Sequence, residues 1–252
     1  LDKIFKKEVM TMEKLLEMEA VSEEAAAFLE KLVKARYNIF ISGGTGAGKT
    51  TFLNILSNFI PREERIITIE DSAELQIRQV PNLVRLEARN ANVEGKNQVT
   101  IRDLVKSSLR MRPSRIIVGE IRDAAAIDLL SAMNTGHDGS LSTGHANSPR
   151  DMLNRLETLV LMGMDIPLAA VRQQIASGID ILVHLGRLRD GSRRVLQIDE
   201  IVGIENERVS LQTLFQFQEK KGQKGRVEGV LCATGKKLRN QEKCQRAGVS
   251  LL

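Results

Sequence analysis

Residues 39–51 read IFISGGTGAGKTT and contain the pattern GxxxxGK[ST] at Gly43, Gly48, Lys49 and Thr50. An apolar run at residues 39–41 precedes the pattern, and apolar side chains at helical spacing follow it. A buried strand, a glycine-rich loop and a helix are the context that this pattern requires. The sequence therefore predicts these three elements in that order.

The loop has the composition of a phosphate-binding site. Glycine lets the backbone curl so that N–H groups point at phosphate oxygens, and the following helix adds its N-terminal donors. Lys49 would reach the β- and γ-phosphates, and the Thr50 hydroxyl would join a Mg²⁺ shell. A glycine-rich turn without a ligand is the alternative. The predicted nucleotide-binding residues are Gly43, Gly44, Thr45, Gly46, Ala47, Gly48, Lys49, Thr50 and Thr51.

The composition is that of a globular protein. The chain has 252 residues, 42% hydrophobic and 27% charged, which suits one sizeable domain with its own core. No apolar run approaches the length of a membrane span, and the first residues lack a signal-peptide pattern. Cys232 and Cys244 are too few and too widely spaced for a zinc site or disulfide framework. We therefore expect a cytoplasmic protein with free thiols.

The net charge of +5 is concentrated at one end of the chain. Residues 219–252 hold nine Lys or Arg and three acidic residues, whereas the remaining residues hold 28 basic and 29 acidic residues. A near-neutral body with one Tyr and no Trp offers little for nucleic-acid binding by charge or base stacking. We predict a basic C-terminal segment and no nucleic-acid partner.

Carboxylates follow two predicted strands. Residues 65–70 read as a buried strand that ends at Glu70 and Asp71, and residues 116–118 form a short strand that leads to Glu120. Open α/β sheets bind ligands at the carboxyl ends of their strands. Glu120 fits the place of the acid that holds Mg²⁺ or orients the attacking water in phosphate-loop proteins. The alternative for Glu120 is a carboxylate that caps the next helix.

Two of the three histidines, His137 and His145, flank a strand of small residues at 140–143. A histidine at a strand end near a γ-phosphate can donate a hydrogen bond to it and so detect it. A structural histidine is the alternative at each position. His184 lies inside the apolar run ILVHL, and we interpret it as a core or sheet-face residue.

Capping signals predict several helix starts. Ser22 precedes a helical run, Thr100 and Asp103 form a capping box, and Ser148 with Pro149 begins another helix. Two β-hairpins follow a further helix at 167–177, the first over residues 181–201 and the second with its turn at 205–206. Four arginines near the first turn could touch phosphate or a partner, but we interpret them as a solvated hairpin tip: Arg187, Arg189, Arg193 and Arg194.

Four motifs occur in order: GGTGAGKTT from Gly43, TIEDSAELQI from Thr68, RMRPSRIIVGEIR from Arg110, and MNTGHDGSLSTGHANSPRDMLNRLE from Met133. Together they resemble the secretion ATPase superfamily of type II and type IV secretion and type IV pilus assembly, which includes GspE- and VirB11-like proteins. They are most similar to the tight-adherence (Flp) pilus ATPases, called CpaF or TadA-like. The resemblance implies an α/β fold, a RecA-like P-loop NTPase core with a mostly parallel sheet, followed by helices and β-hairpins.

The resemblance also implies an activity and partners. It implies a homohexamer that hydrolyses ATP with Mg²⁺ and acts on an inner-membrane platform protein, at the inner face of the cytoplasmic membrane. The implied catalytic residues are Glu120, Glu70, His145 and His137, and the implied metal-binding residues are Thr50, Glu120 and Glu70. Lys49 and Thr50 belong to the Walker A motif, Glu70 with Asp71 and Glu74 to an acidic box, and Glu120 to Walker B. Candidates for arginines that cross a subunit boundary are Arg85, Arg89, Arg112 and Arg122.

The same resemblance divides the chain. Residues 1–20 are expected to be a linker or the end of a preceding N-terminal domain, residues 21–218 a RecA-like ATPase domain, and residues 219–252 a basic C-terminal tail. The N-terminal domain that closes over the nucleotide in this superfamily is expected to be largely absent. Asp123 and Ala125 stand where the pattern has Gly and Glu, and we expect them to alter the helix start beside Glu120.

Three functions fit these observations. The first is an ATPase that powers assembly of a Tad/Flp-type pilus, or type II/IV secretion, across the bacterial cytoplasmic membrane. The second is a nucleotide-gated interaction module with little turnover. The third is a RecA-like nucleic-acid motor, which the composition disfavours.

Overall fold

A computed structural model describes residues 10–220 and 227–251 of the chain. The predicted linker at residues 1–20 is described only from Met10 onward. Lys221, Lys224 and Arg226 of the basic C-terminal segment lie outside the described residues. Among the described residues, no helix has the length and apolar character needed to cross a bilayer.

One nine-stranded sheet organises the described residues, with the strands in the order β3-β2-β4-β5-β1-β6-β7-β8-β9. Pairing is parallel from β3 to β6 and antiparallel from β6 to β9. The predicted mostly parallel core followed by β-hairpins is confirmed. The strands are β1 (Ile39–Gly43), β2 (Ile66–Glu70), β3 (Leu83–Glu87), β4 (Arg115–Val118), β5 (Leu141–His145), β6 (Ile181–Arg187), β7 (Arg193–Glu205), β8 (Arg208–Glu219) and β9 (Gly229–Ala233).

Helices cover both faces of the sheet. Strand β1 alternates between the two faces, since Ile39 and Ile41 join one buried cluster and Phe40 joins the other. Helices α2, α3 and α8 pack on the first face, and α4 to α7 pack on the second. The helices are α1 (Met12–Glu17), α2 (Glu23–Lys34), α3 (Lys49–Ser57), α4 (Ile101–Ser108), α5 (Ala125–Asn134), α6 (Pro149–Gly163), α7 (Leu168–Gly178) and α8 (Glu242–Ala247).

The predicted helix starts are confirmed by their hydrogen bonds. The side chain of Ser22 accepts from the third backbone N–H after it, and Ser148 does the same with Pro149 in the first turn. Thr100 and Asp103 form the reciprocal capping box. Asp123 Oδ1 accepts from the Ala125 N–H at 2.8 Å, so the side chain at this departure supports the start of α5.

Two strands were not predicted from the sequence. Strand β3 forms one edge of the sheet beside β2, and β9 forms the other edge beside β8. Helix α8 buries Cys244 in the cluster that also holds residues of α2. The expected boundary between residues 218 and 219 therefore falls at the end of a paired strand, and residues 227–251 continue the same packed unit.

A buried ion pair lies where β4 begins, at the amino ends of the parallel strands. The Arg115 side chain is fully buried, and its guanidinium binds both oxygens of Glu64, at 2.7 and 2.5 Å. Its Nη1 also donates to the Val33 carbonyl at the end of α2, at 2.6 Å. One side chain thus joins β4, the turn before β2 and helix α2.

Candidate active site

The glycine-rich loop begins where β1 ends in the middle of the sheet. A Cβ built on Gly43 would lie 2.5 Å from the Leu185 carbonyl oxygen of β6, so only glycine fits this close approach. Gly48 has a φ of +94° and is the N-cap of α3. The left-handed backbone at this position lets the loop turn directly into the helix, with the helix N–H groups facing the loop.

Lys49, the first residue of α3, is folded back over the loop. Its Nζ lies 3.1 Å from the Gly44 carbonyl and 3.2 Å from Nδ1 of His145. Burial lowers the pKa of Lys49, and the nearby carboxylate of Glu120 opposes that effect. The ammonium therefore occupies a partly desolvated position, where a charge acts more strongly than in water.

His145 connects the loop to Glu120. It ends β5, opposite Gly43 in the parallel register, and its Nε2 lies 2.9 Å from Glu120 Oε1. Burial, followed by the positive charge of Lys49, lowers the pKa of His145, so the ring is neutral near pH 7. If Nδ1 accepts from Lys49, the neutral ring carries its proton on Nε2, the nitrogen nearer to Glu120.

The approach of His145 to Glu120 leaves one oxygen without an aligned donor. Although Nε2 is close, its N–H does not point at the carboxylate, and Glu120 Oε1 is buried without a hydrogen-bond partner among the described residues. Such an atom is costly to leave unsatisfied. A short distance without alignment does not make a hydrogen bond, so this oxygen stays unsatisfied.

Glu70 lies beside this carboxylate. Strands β2 and β4 pair Ile69 with Val118, so Glu70 follows in register with Gly119. Glu70 is 5% exposed and its Oε1 accepts from two backbone N–H groups, at 3.0 and 2.9 Å. Burial raises the pKa of Glu70, and these two hydrogen bonds oppose the rise. A polar pocket of about 280 Å³ is lined by Thr50, Glu70, Asp71, Ser72, Glu74, Gly119, Glu120 and Arg122.

The donor set of this pocket suits a hard divalent cation. Thr50, Glu70 and Glu120 present oxygen atoms to one space, and Mg²⁺ prefers oxygen ligands. The unsatisfied Glu120 Oε1 is the atom that a cation or its bound water would pair with. Within residues 10–220 and 227–251, no three His, Cys, Asp or Glu side chains could hold a metal by themselves. A cation here would therefore need further ligands from a bound nucleotide and water.

Arg122 is the one of the four candidate arginines that reaches the polar pocket. Its Nε lies 3.2 Å from Glu120 Oε2 and its Nη2 lies 2.7 Å from Asp71 Oδ2. The others make contacts elsewhere. Arg85 Nη2 donates to the Ile77 carbonyl, Arg89 Nε donates to the Asn97 carbonyl, and Arg112 has a left-handed φ of +52° after the 3₁₀ turn at Leu109–Met111.

The hairpin arginines were interpreted from the sequence as a solvated tip. That interpretation is wrong for Arg194, which is buried, whereas Arg193 is exposed and also contacts the phosphate-binding loop. Arg193 Nε donates to the Gly46 carbonyl of the loop at 2.8 Å, and Arg194 is 2% exposed. Strand β7 pairs with β6, which itself borders β1, so the turn end of the hairpin lies beside the loop. The order of strands in the sheet, which single residues do not reveal, produces this contact.

His137 does not lie in this site. It precedes β5, whereas His145 ends β5. The five residues of that strand therefore place the two histidines near opposite ends of the parallel strands. The Nδ1 of His137 is buried without a hydrogen-bond partner among the described residues. The structure brings together Lys49, Thr50, Glu70, Glu120 and His145, and leaves His137 apart.

The sequence of this chain matches a known protein family. The model of the type II/IV secretion system protein family matches residues 3–239. The chain belongs to this family. A putative conjugal transfer protein of Mycobacterium tuberculosis strain H37Rv is 47% identical over 179 residues, which are 71% of this chain and 50% of that protein. The conjugal transfer protein TrbB of Rhizobium radiobacter is 36% identical, over 79% of this chain and 59% of that protein.

Solved structures of the superfamily share the fold. The VirB11 ATPase of the Brucella suis type IV secretion system, in complex with sulphate, has a TM-score of 0.63 and 32% identity, over 74% of this chain and 54% of that one. The pilus retraction motor PilT with bound ADP has a TM-score of 0.52 at 18% identity, over 96% of this chain and 58% of that one, which shows the fold alone. The chain spans about half the length of the curated relatives it matches.

Proposed function

We propose that this chain carries the motor chemistry of an ATPase that hydrolyses Mg-ATP. The contact series from Lys49 through His145 to Glu120 is the observation that carries the proposal. It joins a cationic phosphate-binding group, a neutral imidazole and an incompletely bonded carboxylate at three adjacent strand ends. A loop that only bound nucleotide would not need the carboxylate to be held without a donor.

In the proposed reaction, Lys49 leaves its contacts with Gly44 and His145 and pairs with the β- and γ-phosphates. The desolvated ammonium offsets the charge that develops as the terminal phosphoryl group transfers. His145, then freed from Lys49, would carry a proton on Nδ1 and donate it to the γ-phosphate, and so detect it. The two groups therefore exchange partners when the nucleotide enters.

Glu120 is proposed to orient the attacking water through Oε1, the oxygen that has no aligned donor. Thr50, Glu70 and Glu120 would hold Mg²⁺ together with phosphate and water, and the ion would neutralise charge on the phosphate oxygens. Arg122 holds the other oxygen of Glu120, which fixes the plane of the carboxylate. The geometry of one subunit gives His137 no step in this reaction.

We also propose the setting in which this chemistry acts. The conjugal transfer and type IV secretion relatives support a role in transport across the bacterial cytoplasmic membrane, and the motifs favour a Tad/Flp-type pilus. Residues 21–218 would hold the catalytic residues, and residues 219–252 the excess basic charge. A homohexamer at the cytoplasmic face, bound to an inner-membrane platform protein, would convert turnover into movement. The candidates for an arginine that crosses a subunit boundary are Arg85, Arg89, Arg112 and Arg122, of which Arg122 also contacts Glu120 of its own subunit.

The proposal is tested by steady-state phosphate release at increasing protein concentration, for the wild type and for Lys49→Ala. A ring motor predicts a specific rate that rises with protein concentration and falls by about 10²–10³-fold in the variant. Lys96→Ala, which removes an exposed lysine of the loop before α4, is the matched control and should keep the wild-type rate.

Two other outcomes would decide against a secretion or pilus motor. Equal background release by the wild type and Lys49→Ala, with ATP binding retained in the wild type, would identify a nucleotide-gated interaction module. Strong stimulation of hydrolysis by DNA at near-physiological salt would favour a nucleic-acid motor instead. The first outcome would show that the chain binds ATP without hydrolysing it. The second would show that the motor acts on DNA instead of on a membrane platform protein.

Arg193→Ala is expected to weaken ATP binding. The variant removes the donor to the Gly46 carbonyl, so the loop loses a contact that holds it in shape before the nucleotide binds. One exposed hydrogen bond contributes about 0.5–1.5 kcal/mol, which corresponds to a roughly 2–10-fold increase in Kd. Titration with a fluorescent ATP analogue measures it. Arg189→Ala in the same hairpin, which loses only the contact with Glu219, is the control, and an unchanged Kd in Arg193→Ala would contradict the prediction.

A further inference from the structure

A third histidine lies beside the start of the phosphate-binding loop. His184 is in β6, pairs in register with Ser42 of β1, and is 6% exposed. Its Nδ1 lies 2.9 Å from the Ser42 hydroxyl, which immediately precedes Gly43 at the start of the phosphate-binding loop. From the sequence we interpreted His184 as a core or sheet-face residue, and the structure confirms its burial while adding a partner in the neighbouring strand.

The same imidazole reaches the loop that follows His145. A hydrogen bond with the backbone of Asn147, two residues after His145, acts on the His184 ring. Burial lowers the pKa of His184, against the opposing effects of this bond and of Asp151, so the ring is neutral near pH 7. If Nδ1 accepts from the Ser42 hydroxyl, the neutral ring carries its proton on Nε2, which is then the nitrogen available to the Asn147 backbone.

Beyond the regular strand pairing, the two loops share one long backbone hydrogen bond. The regular pairing of β1 with β5 ends at Gly43 and His145, and beyond it the Ala146 N–H reaches the Gly43 carbonyl at 3.4 Å. A bond of that length is near the limit of hydrogen bonding. The buried ring of His184 therefore supplies a second connection, between residue 42 on one side and residue 147 on the other.

We propose that His184 is a positioning residue that sets the separation between the phosphate-binding loop and the His145 loop. Its effect would be exerted on the 3.2 Å approach of Lys49 Nζ to His145 Nδ1, which the two loops carry from opposite sides. This inference rests on the proposed hydrolysis by the same site. His184 itself touches neither loop tip, so it acts through Ser42 and Asn147 and not on the nucleotide.

Three substitutions distinguish the contributions of the two ring nitrogens of His184. His184→Leu keeps an apolar volume and removes both hydrogen bonds, His184→Gln keeps a donor near the Nε2 position, and Ser42→Ala removes only the partner of Nδ1. A misplacement of about 1 Å in a catalytic group can cost about 10²-fold in rate. We expect kcat per ATP-binding site to fall about 10–100-fold in His184→Leu, with KM within about threefold of wild type, and to fall less in the other two.

A residue with only a structural role would give a different result. It would lower the melting temperature, but the folded, ATP-binding fraction would turn over at the wild-type kcat in all three variants. That result in His184→Leu would overturn the inference. Counting binding sites by nucleotide titration keeps partial unfolding from being mistaken for slow catalysis.

A second measurement does not depend on hydrolysis. The proximity of the Lys49 side chain to the His145 ring can be measured by nuclear Overhauser effects without nucleotide, in the wild type and in His184→Leu. If the loops move apart, the effects between the two side chains weaken, since their nitrogens lie only 3.2 Å apart in the wild type; unchanged effects would overturn the inference. A wild type that binds ATP without turnover would instead overturn the proposed function, while the NMR result would still decide the role of His184.

Discussion

Glu120→Gln is expected to lower kcat for ATP hydrolysis by about 10²–10⁴-fold while ATP affinity stays within about threefold of wild type. Glutamine keeps the shape of the side chain but cannot take a proton or hold an attacking water as strongly. Phosphate binding rests on the loop and on Lys49, whose contacts with Gly44 and His145 do not involve this carboxylate. A large loss in kcat without a loss in binding is therefore the signature of the site.

Single-turnover phosphate release, with enzyme in excess over ATP, measures this effect without interference from product release. Glu87→Gln is a suitable control, because Glu87 is an exposed carboxylate at the end of β3, two strands from β4 in the sheet order. A kcat within about tenfold of wild type in Glu120→Gln would remove Glu120 from the reaction. A large loss of ATP binding in the same variant would assign the residue to the binding step instead.

Arg115→Met is expected to lower the free energy of unfolding by about 3–5 kcal/mol. The substitution leaves Glu64 as a buried charge without its bidentate partner and leaves the Val33 carbonyl without its donor. Glu64 would keep only the more distant Arg36, whose Nη1 lies 3.5 Å from its Oε2 and whose side chain is partly exposed. Equilibrium unfolding in urea, read by circular dichroism, measures the change.

Two further variants test the cause. Arg189→Ala breaks the exposed pair with Glu219 and should cost less than about 1 kcal/mol, since exposed ion pairs contribute little. The double variant Glu64→Leu/Arg115→Met removes both charges and should recover part of the loss of the single variant. A single variant that unfolds like the wild type would show that Arg115 is not a stabilising partner of Glu64.

Local sequence signals predicted the parts of the fold that local contacts determine. The capping box at Thr100 and Asp103, the loop from Gly43 to Thr50 and the tight turn near Asn206 each depend on residues a few positions apart. Edge strands β3 and β9 are different. Their pairing is determined by which neighbour is free at the edge of the sheet, and the short mixed sequences of these strands carry no strong alternation.

In the candidate site, too, local sequence predicted some residues, and only the strand order places the others. Glu70 and Glu120 were predicted because each follows a buried strand, and parallel pairing of those strands brings their ends together. His137 was grouped with His145 because the two are close in sequence, but the strand between them separates what the sequence places side by side. Arg193 and His184 lie about 140 residues after the loop they contact, at distances that only the order of strands in the sheet determines.

The central place of β1 has a consequence for how the protein is made. Both neighbours of β1 in the sheet, β5 and β6, begin at Leu141 and Ile181, long after the strand they enclose. A growing chain on the ribosome therefore exposes residues 39–51 early but cannot hold them between partners until β6 has emerged. Closing such long loops is slow because their entropy is lost before the contacts form. The proposed nucleotide would therefore stabilise this loop only after β6 has joined the sheet.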